Sequence, residues 1–271
     1  MDITLTYLHS YPVKSLAGIS LAEAVTEDRG LPYDRRWMLV DDAGIFLSQR
    51  KIPEMALVKL RLDTHGLLLE APSQLPLSVG FGERMGLETM VKVWDDTCRA
   101  YEVSTRANEW LSNYLGQSCR LVYMPDETQR VVDPVYNLGQ NITSFSDGFP
   151  FLLISEASLT DLNSRLPASA RPLPMNRFRP NLVVGGTEPY AEDTWKRIKI
   201  GEVVFHVVKP CSRCVMTTID QDTGEKGIEP LKTMSQYRRV GSKIMFGQNL
   251  LQETNGMIRV GDRVEVLDRV G

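Results

Sequence analysis

"VVKPCSRCVMTTID", residues 207–220, carries one C-x-x-C pair, Cys211 and Cys214, followed by a β-branched run. The other two cysteines, Cys98 and Cys119, are widely spaced and belong to different expected elements. Four readings of the pair compete. A structural zinc site takes four ligands, usually from two knuckles, and only one knuckle is present. A thioredoxin-type redox pair needs a helix start beneath it to lower the first thiol's pKa. Here Val215, Thr217 and Thr218 disfavour an immediate helix. Plain core cysteines are the third reading, although Lys209, Pro210, Ser212 and Arg213 make the surroundings polar. The fourth is a single thiolate ligand to a soft metal centre, with Arg213 beside the thiol to favour its ionised form. A cofactor that brings most of its own ligands needs only one from the protein, so a second pair is not required. The residues alone leave these readings open.

Outward from the pair, the sequence reads as strands. "NLVVGG", "RIKIG", "EVVFHVV" and "CVMTTID" are short β-branched runs, and "MIRVGDRVEVL" closes the chain as a hairpin or paired strands. The front end reads similarly: "ITLTYLHSYPV", "RRWMLVD", "GIFLSQ", "ALVKLRLD" and "GLLLEAP" are strands punctuated by turns such as "DDAG". Helical spacing interrupts this in three places. "STRANEWLSNYLG" places Trp110, Leu111, Tyr114 and Leu115 together, capped by Ser104 or Thr105 and ended by Gly116. "SEASLTDLNSRLP" starts at the N-cap Ser155, with Leu159, Leu162 and Leu166 on one face. "EPLKTMSQYRR" reads as a short helix. Residues 124–145 are polar and aperiodic, a long loop of the sort that is often functional. The sum is a strand-rich α+β fold, barrel-like, with a boundary near residue 120.

Composition narrows the function. Hydrophobic residues make up 42% and charged residues 24%, the balance of a globular protein with ample core. The formal net charge of −3 gives no global field for nucleic acid or membrane, so neither is an expected partner. The N-terminus lacks a basic n-region and a long apolar run, and four cysteines are too few for a disulfide scaffold. A reducing, cytoplasmic setting with free thiols is expected.

"KPCSRCVMTTIDQDTGEKGIEPLKTMSQYR", then "FGQNL" and "GMIRVGDRVEVL", resembles the MOSC domain of molybdenum-cofactor proteins. "YPVKSLAGISL" and "GLPYDRRWMLVD" resemble the β-barrel domain that precedes MOSC, and "FPFLLISEASLTDLNSRL" and "NRFRPNLVV" are similar to the same proteins. The resemblance runs in order over nearly the whole chain. It includes the group containing the mitochondrial amidoxime-reducing component and its bacterial counterparts. It implies a MOSC N-terminal domain over residues 1–120 and a MOSC domain over 121–271. It also implies a molybdenum cofactor, a pyranopterin dithiolene bearing a phosphate, with Cys214 as molybdenum ligand and catalytic residue. Lys14, Ser15, Arg35, Arg179 and Asn181 map to positions around the pterin and its phosphate. Ser212, Arg213 and Ser146 extend that donor set, as an anion requires. Asp147 either orients a cofactor amine or makes an Asx-turn. The implied activity is reduction of N-hydroxylated bases, amidoximes or hydroxylamines. The expected electron donor is a separate partner, ferredoxin-like or a cytochrome with its reductase; the ferredoxin-type cysteine run of some relatives is missing here, which a separate donor or a shortened sequence would each explain. The competing reading is a non-catalytic cofactor or sulfur carrier, as at the end of molybdenum-cofactor sulfurases. Asp220 and Asp222 read as a turn, and His9, His65 and His206 have no metal-ligand spacing.

Overall fold

The computed structural model describes residues 2–270 other than 87, 140 and 171. Its centre is a nine-stranded sheet that curls into a half-barrel. The strand order is Ile19–Leu21, Thr4–Ser10, Leu182–Gly185, Phe151–Ser155, Lys243–Gln252, Val203–Ser212, Trp195–Ile200 and Val264–Arg269, with Arg239–Val240 paired to Lys243–Gln252. Most neighbours run antiparallel, but Phe151–Ser155 and Leu182–Gly185 are parallel. A parallel pair needs a crossover, and the helix Glu156–Arg165 lies in the intervening chain. Ser155 caps that helix as expected, its side chain accepting from Ser158 N at 3.0 Å. One face of the sheet buries Leu5, Leu153, Val184, Trp195 and Phe205, and the other buries Ile154, Leu162, Phe178 and Phe246. Gly247 permits that second packing. It adopts φ +81°, and a Cβ there would lie 2.6 Å from Ile154 Cγ1 and 2.9 Å from Leu153 O.

The rest of the front end forms a four-stranded sheet, in the order Trp37–Val40, Arg120–Tyr123, Asp96–Glu102, Glu88–Val93, and a three-stranded one, Lys59–Leu62, Gly66–Glu70, Leu77–Gly80. Helix Thr105–Leu115 closes their core with Ala107 and Leu111. Ser104 accepts from Ala107 N, and Gly116 ends the helix at φ 65°. The position expected for a boundary, residue 120, starts the Arg120–Tyr123 strand. Thr4–Ser10, far upstream, sits inside the large sheet, so the two ends of the sequence interlock.

Five local expectations are corrected. "CVMTTID" is a 3₁₀ turn over Val215–Thr218. The Thr217 and Thr218 hydroxyls donate to the carbonyls of Cys214 and Val215 at 3.0 and 2.8 Å, which bends a β-branched run out of extension. "GIFLSQ" makes only isolated bridges, at Ile45 and Phe46, and "ALVKLRLD" begins in the 3₁₀ turn Pro53–Leu57 before Lys59–Leu62 extends. The closing strands do not pair with each other. Met257–Arg259 pairs with Glu23–Val25, and Val264–Arg269 with Trp195–Ile200. The polar stretch 124–145 contains a short pair, Arg130–Val131 with Ile142–Thr143, and Gln140 within it lies outside the described residues. Among the described residues, no helix is long and apolar enough to cross a membrane.

Candidate functional site

All ten residues singled out from the sequence line one cleft: Lys14, Ser15, Arg35, Ser146, Asp147, Arg179, Asn181, Ser212, Arg213 and Cys214. Its volume is about 820 Å³, open space at the mouth included. The lining holds six cations and one carboxylate, although the chain as a whole is acidic. Sequence reasoning missed two of those cations, Arg50 and Arg177. Arg177 stands two residues before Arg179 in "NRFRP", and the repeated arginine was the available signal.

Local backbone shapes this cleft. Ser15, Arg35 and Arg179 hold φ of 66°, 49° and 56°. Left-handed geometry costs a non-glycine residue about 1 kcal/mol or more and persists where function or surrounding structure demands it. Gln49, fully buried, donates to Ser15 O at 2.8 Å and exchanges amide bonds with Gln221, tying the front-end loop to the chain after Cys214. Asp34 is the buried hub beneath Arg35. Its Oδ2 accepts from Arg35 Nη1 at 2.6 Å, while Oδ1 accepts from Tyr11 N at 2.8 Å and Asn181 Nδ2 at 3.2 Å. Asn181 also donates to His9 O and accepts from Arg35 Nη1 at 3.1 Å, so it aims Arg35. The guanidinium carbons of Arg35 and Arg179 lie 4.3 and 4.2 Å from the Tyr11 ring centroid. Burial pushes the Tyr11 hydroxyl up to about 12.

Arg179 is the clearest ligand-directed group. It is 9% exposed, its Nη1 donates to Leu16 O at 2.6 Å, and its buried Nη2 has no protein partner among the described residues. Burial pulls its pKa down to about 10; an anion in the cleft would reverse that and satisfy Nη2. Arg213 Nε is likewise buried without a partner. Arg213 was expected to sit beside the Cys214 thiol, but its Nη1 meets Cys211 Sγ at 3.0 Å and its Nη2 meets Phe178 O at 2.6 Å. The backbone is extended through Cys211 and Ser212, which puts alternate residues on one side and pairs Arg213 with Cys211. Arg177 donates to Asp220 Oδ2 at 2.7 Å, so Asp220 anchors a cleft arginine as well as making its turn through Oδ1.

Lys14 Nζ donates to Asp147 Oδ1 at 2.6 Å and to Phe145 O at 2.8 Å. Burial lowers the Lys14 pKa, and Asp147 opposes that. Asp147 is largely exposed at the cleft wall; the low-dielectric surroundings oppose its ionisation, but Lys14, Trp94 and Arg50 hold the carboxyl below the usual range. Ser146 Oγ pairs with Thr143 Oγ1 at 2.6 Å, and Arg130 clamps the segment through Ser144 O and Ser146 O. Cys98 and Cys119 are buried in two other cores, and all four thiols are free. Among the described residues, no cluster of three His, Cys, Asp or Glu is placed to hold a metal ion.

The arrangement defines a strand-rich protein with a cationic cleft for an anionic ligand and a half-buried thiol, Cys214, on the cleft wall. The chain belongs to the MOSC family: the MOSC domain matches residues 140–265 and the MOSC N-terminal beta barrel domain matches residues 2–118. It is 35% identical over 286 residues to mitochondrial amidoxime-reducing component 1 of Mus musculus, covering 97% of this chain and 82% of that protein. Identity to the Homo sapiens protein of the same name is 33% over 290 residues, covering 97% and 83%. It is 36% identical over 264 residues to the molybdenum cofactor sulfurase of Oryza sativa subsp. japonica, covering 91% of this chain but 32% of that protein. The chain thus spans about a third of the length of the sulfurases it matches.

Proposed function

We propose that the cleft binds a molybdenum cofactor and that the protein reduces N-hydroxylated compounds. The observation that carries this reading is the convergence of six cations, one of them the buried and unsatisfied Arg179, beside the Cys214 thiol. The donor chemistry fits the group. Arg35, Arg179 and Arg213 offer forked N–H donors for a phosphate, and Cys214 offers the single soft ligand that a dithiolene-held metal lacks. When bound, the cofactor supplies two-electron redox chemistry at molybdenum. The net reaction takes an N-hydroxylated amine, two electrons and two protons to the amine and water, with electrons from a separate protein. The chain's own contributions are binding and orientation. Asp34 and Asn181 fix Arg35, Gln49 fixes Ser15, and Arg130 fixes the Ser144–Asp147 segment. Lys14 and Asp147 form a charged pair at the cleft wall, and Asp147, held ionised, accepts hydrogen bonds and does not donate a proton near neutral pH. Four free thiols suit a reducing compartment such as the cytoplasm.

The test is molybdenum and pterin content of protein made in a host rich in the cofactor, followed by turnover with a competent reductant. About one molybdenum per chain and reduction of an amidoxime support the reading; no molybdenum sinks it. A second reading, a cofactor or sulfur carrier without turnover, is favoured by the 36% identity to a sulfurase. Bound molybdenum that substrate never reoxidises would select it.

A further inference from the structure

Among the six cations of the cleft, five are committed to the protein. Lys14, Arg35, Arg177, Arg179 and Arg213 each donate to protein oxygen atoms. Arg50 makes no hydrogen bond or ion pair among the described residues, yet it lines the cleft. Aromatic faces hold it instead: its guanidinium carbon lies 4.0 Å from the Trp94 ring centroid and 5.7 Å from that of Phe46. Trp94 and Phe46 pack against each other with centroids 5.0 Å apart.

Trp94 itself is unusual. It occupies the two-residue turn between the Glu88–Val93 and Asp96–Glu102 strands with φ 57°, a conformation that glycine or asparagine ordinarily supplies. It is 39% exposed, and its indole N–H donates to Asp147 Oδ1 at 3.0 Å. A strained, exposed tryptophan tied to the cleft's one carboxylate needs a reason beyond the core. Supporting Arg50 is that reason. The deep cations Lys14, Arg177 and Arg179 are each less than a tenth exposed, whereas Arg50 is half-buried and rests on an exposed residue. Arg50 therefore belongs to the mouth, where substrate enters.

We propose that Arg50 is a specificity-determining residue, presenting its guanidinium plane, backed by Trp94, to a flat heteroaromatic ring of the substrate. The favoured substrates are N-hydroxylated heteroaromatic bases over small aliphatic amidoximes. This rests on the reductase reading above. The chemistry follows from the two faces of guanidinium. One lies on the indole, and the other stacks on an electron-rich ring while the edge N–H groups reach ring nitrogen or oxygen acceptors. Stacking on such a surface contributes about 1–3 kcal/mol, or about 5–150-fold in affinity. Lysine keeps the charge but has no plane.

The test uses the cofactor-loaded protein and its R50A, R50K and W94F variants. Adenine is titrated against tryptophan fluorescence, and kcat/KM is compared for N6-hydroxyadenine and acetamidoxime. Adenine should quench the wild type, W94F should lose the quench, and R50A and R50K should both bind adenine at least about tenfold more weakly. The preference for N6-hydroxyadenine over acetamidoxime should fall about tenfold in both Arg50 variants. Equal adenine affinity in wild type and R50A overturns the assignment, whatever the turnover. Loss of molybdenum and pterin from R50A also overturns it, because the flat ring held would then be the cofactor's. Failure of the wild type to reduce either compound overturns the reductase reading, and the fluorescence titration still decides Arg50.

Discussion

Replacing Asp34 by asparagine isolates the buried charge that lies beneath Arg35, behind the cleft wall. Asp34 and Arg35 side chains are 2% and 13% exposed, and their ion pair is 2.6 Å long. Asparagine keeps an oxygen for Tyr11 N and Asn181 Nδ2 but turns an amide group toward Arg35. Removing one partner of a buried pair costs about 3–5 kcal/mol. The slight exposure of Arg35 puts the expected loss near the lower bound, about 3 kcal/mol. Asp34→Ala also strands the Tyr11 N–H, for a further loss of about 1–3 kcal/mol. Against a total stability of about 5–15 kcal/mol, both effects are large. In a chain of this length, 3 kcal/mol lowers Tm by about 6 °C. Urea unfolding of the three proteins measures the two losses directly. A further consequence follows from sign. Asp34→Asn leaves the cleft more positive, so inorganic phosphate should stabilise the variant more than it stabilises the wild type. If Asp34→Asn unfolds within about 1 kcal/mol of wild type, or phosphate stabilises both equally, Arg35 has another counter-charge and the account of the hub is wrong.

Cys214→Ala should abolish molybdenum retention while shifting Tm by less than about 2 °C, since the side chain is only half-buried; elemental analysis and calorimetry check this together. Gly247→Ala should cost about 3 kcal/mol by urea unfolding, from crowding against Ile154 and Leu153 O at a positive φ. Glu192 is fully buried, its Oε1 bonded to Ser155 N and Ser158 Oγ and its Oε2 unpaired. Burial raises its pKa, so above the ordinary carboxyl range the folded state binds more protons than the unfolded one and stability falls as pH rises through the folded value. Glu192→Gln should remove that part of the slope. A stability profile from pH 4.5 to 8 with the same slope in both proteins would show the carboxyl to be ionised throughout.

Local chemistry was legible in the sequence where side chain and backbone act within a few residues. Ser104, Gly116 and Ser155 mark helix ends by their own hydrogen bonds or φ, and the structure has them there. The Val215–Thr218 turn was not legible, because threonine's strand preference and its bonding to preceding carbonyls pull in opposite directions, and the latter prevails here. The strand partners near the C-terminus were beyond local reading, since pairing Met257–Arg259 with Glu23–Val25 is a long-range event. At the site, resemblance, not periodicity, drew four separated motifs to one cleft, and donor chemistry added Ser146 and Asp147 from the end of the long loop. Asp34 escaped although it stands beside Arg35 in the quoted "GLPYDRRWMLVD", and Arg50 escaped because no quoted stretch contains it. Asp34 matters through burial beneath Arg35, and Arg50 through partners it lacks, and both are properties of three dimensions.

The interlocking of the chain's two ends sets a timetable. Thr4–Ser10 is synthesised long before its partners: Gly261 N donates to Leu5 O at 2.7 Å and Val264 N donates to Ile3 O at 2.8 Å. That strand therefore waits, unpaired along these bonds, until Val264 has left the ribosome. Lys14 and Ser15, which follow that strand, cannot meet Cys214 until residue 214 has been made. Synthesis leaves a hydrophobic strand searching for partners more than 150 residues away, a slow closure and an interval in which a chaperone has most to guard.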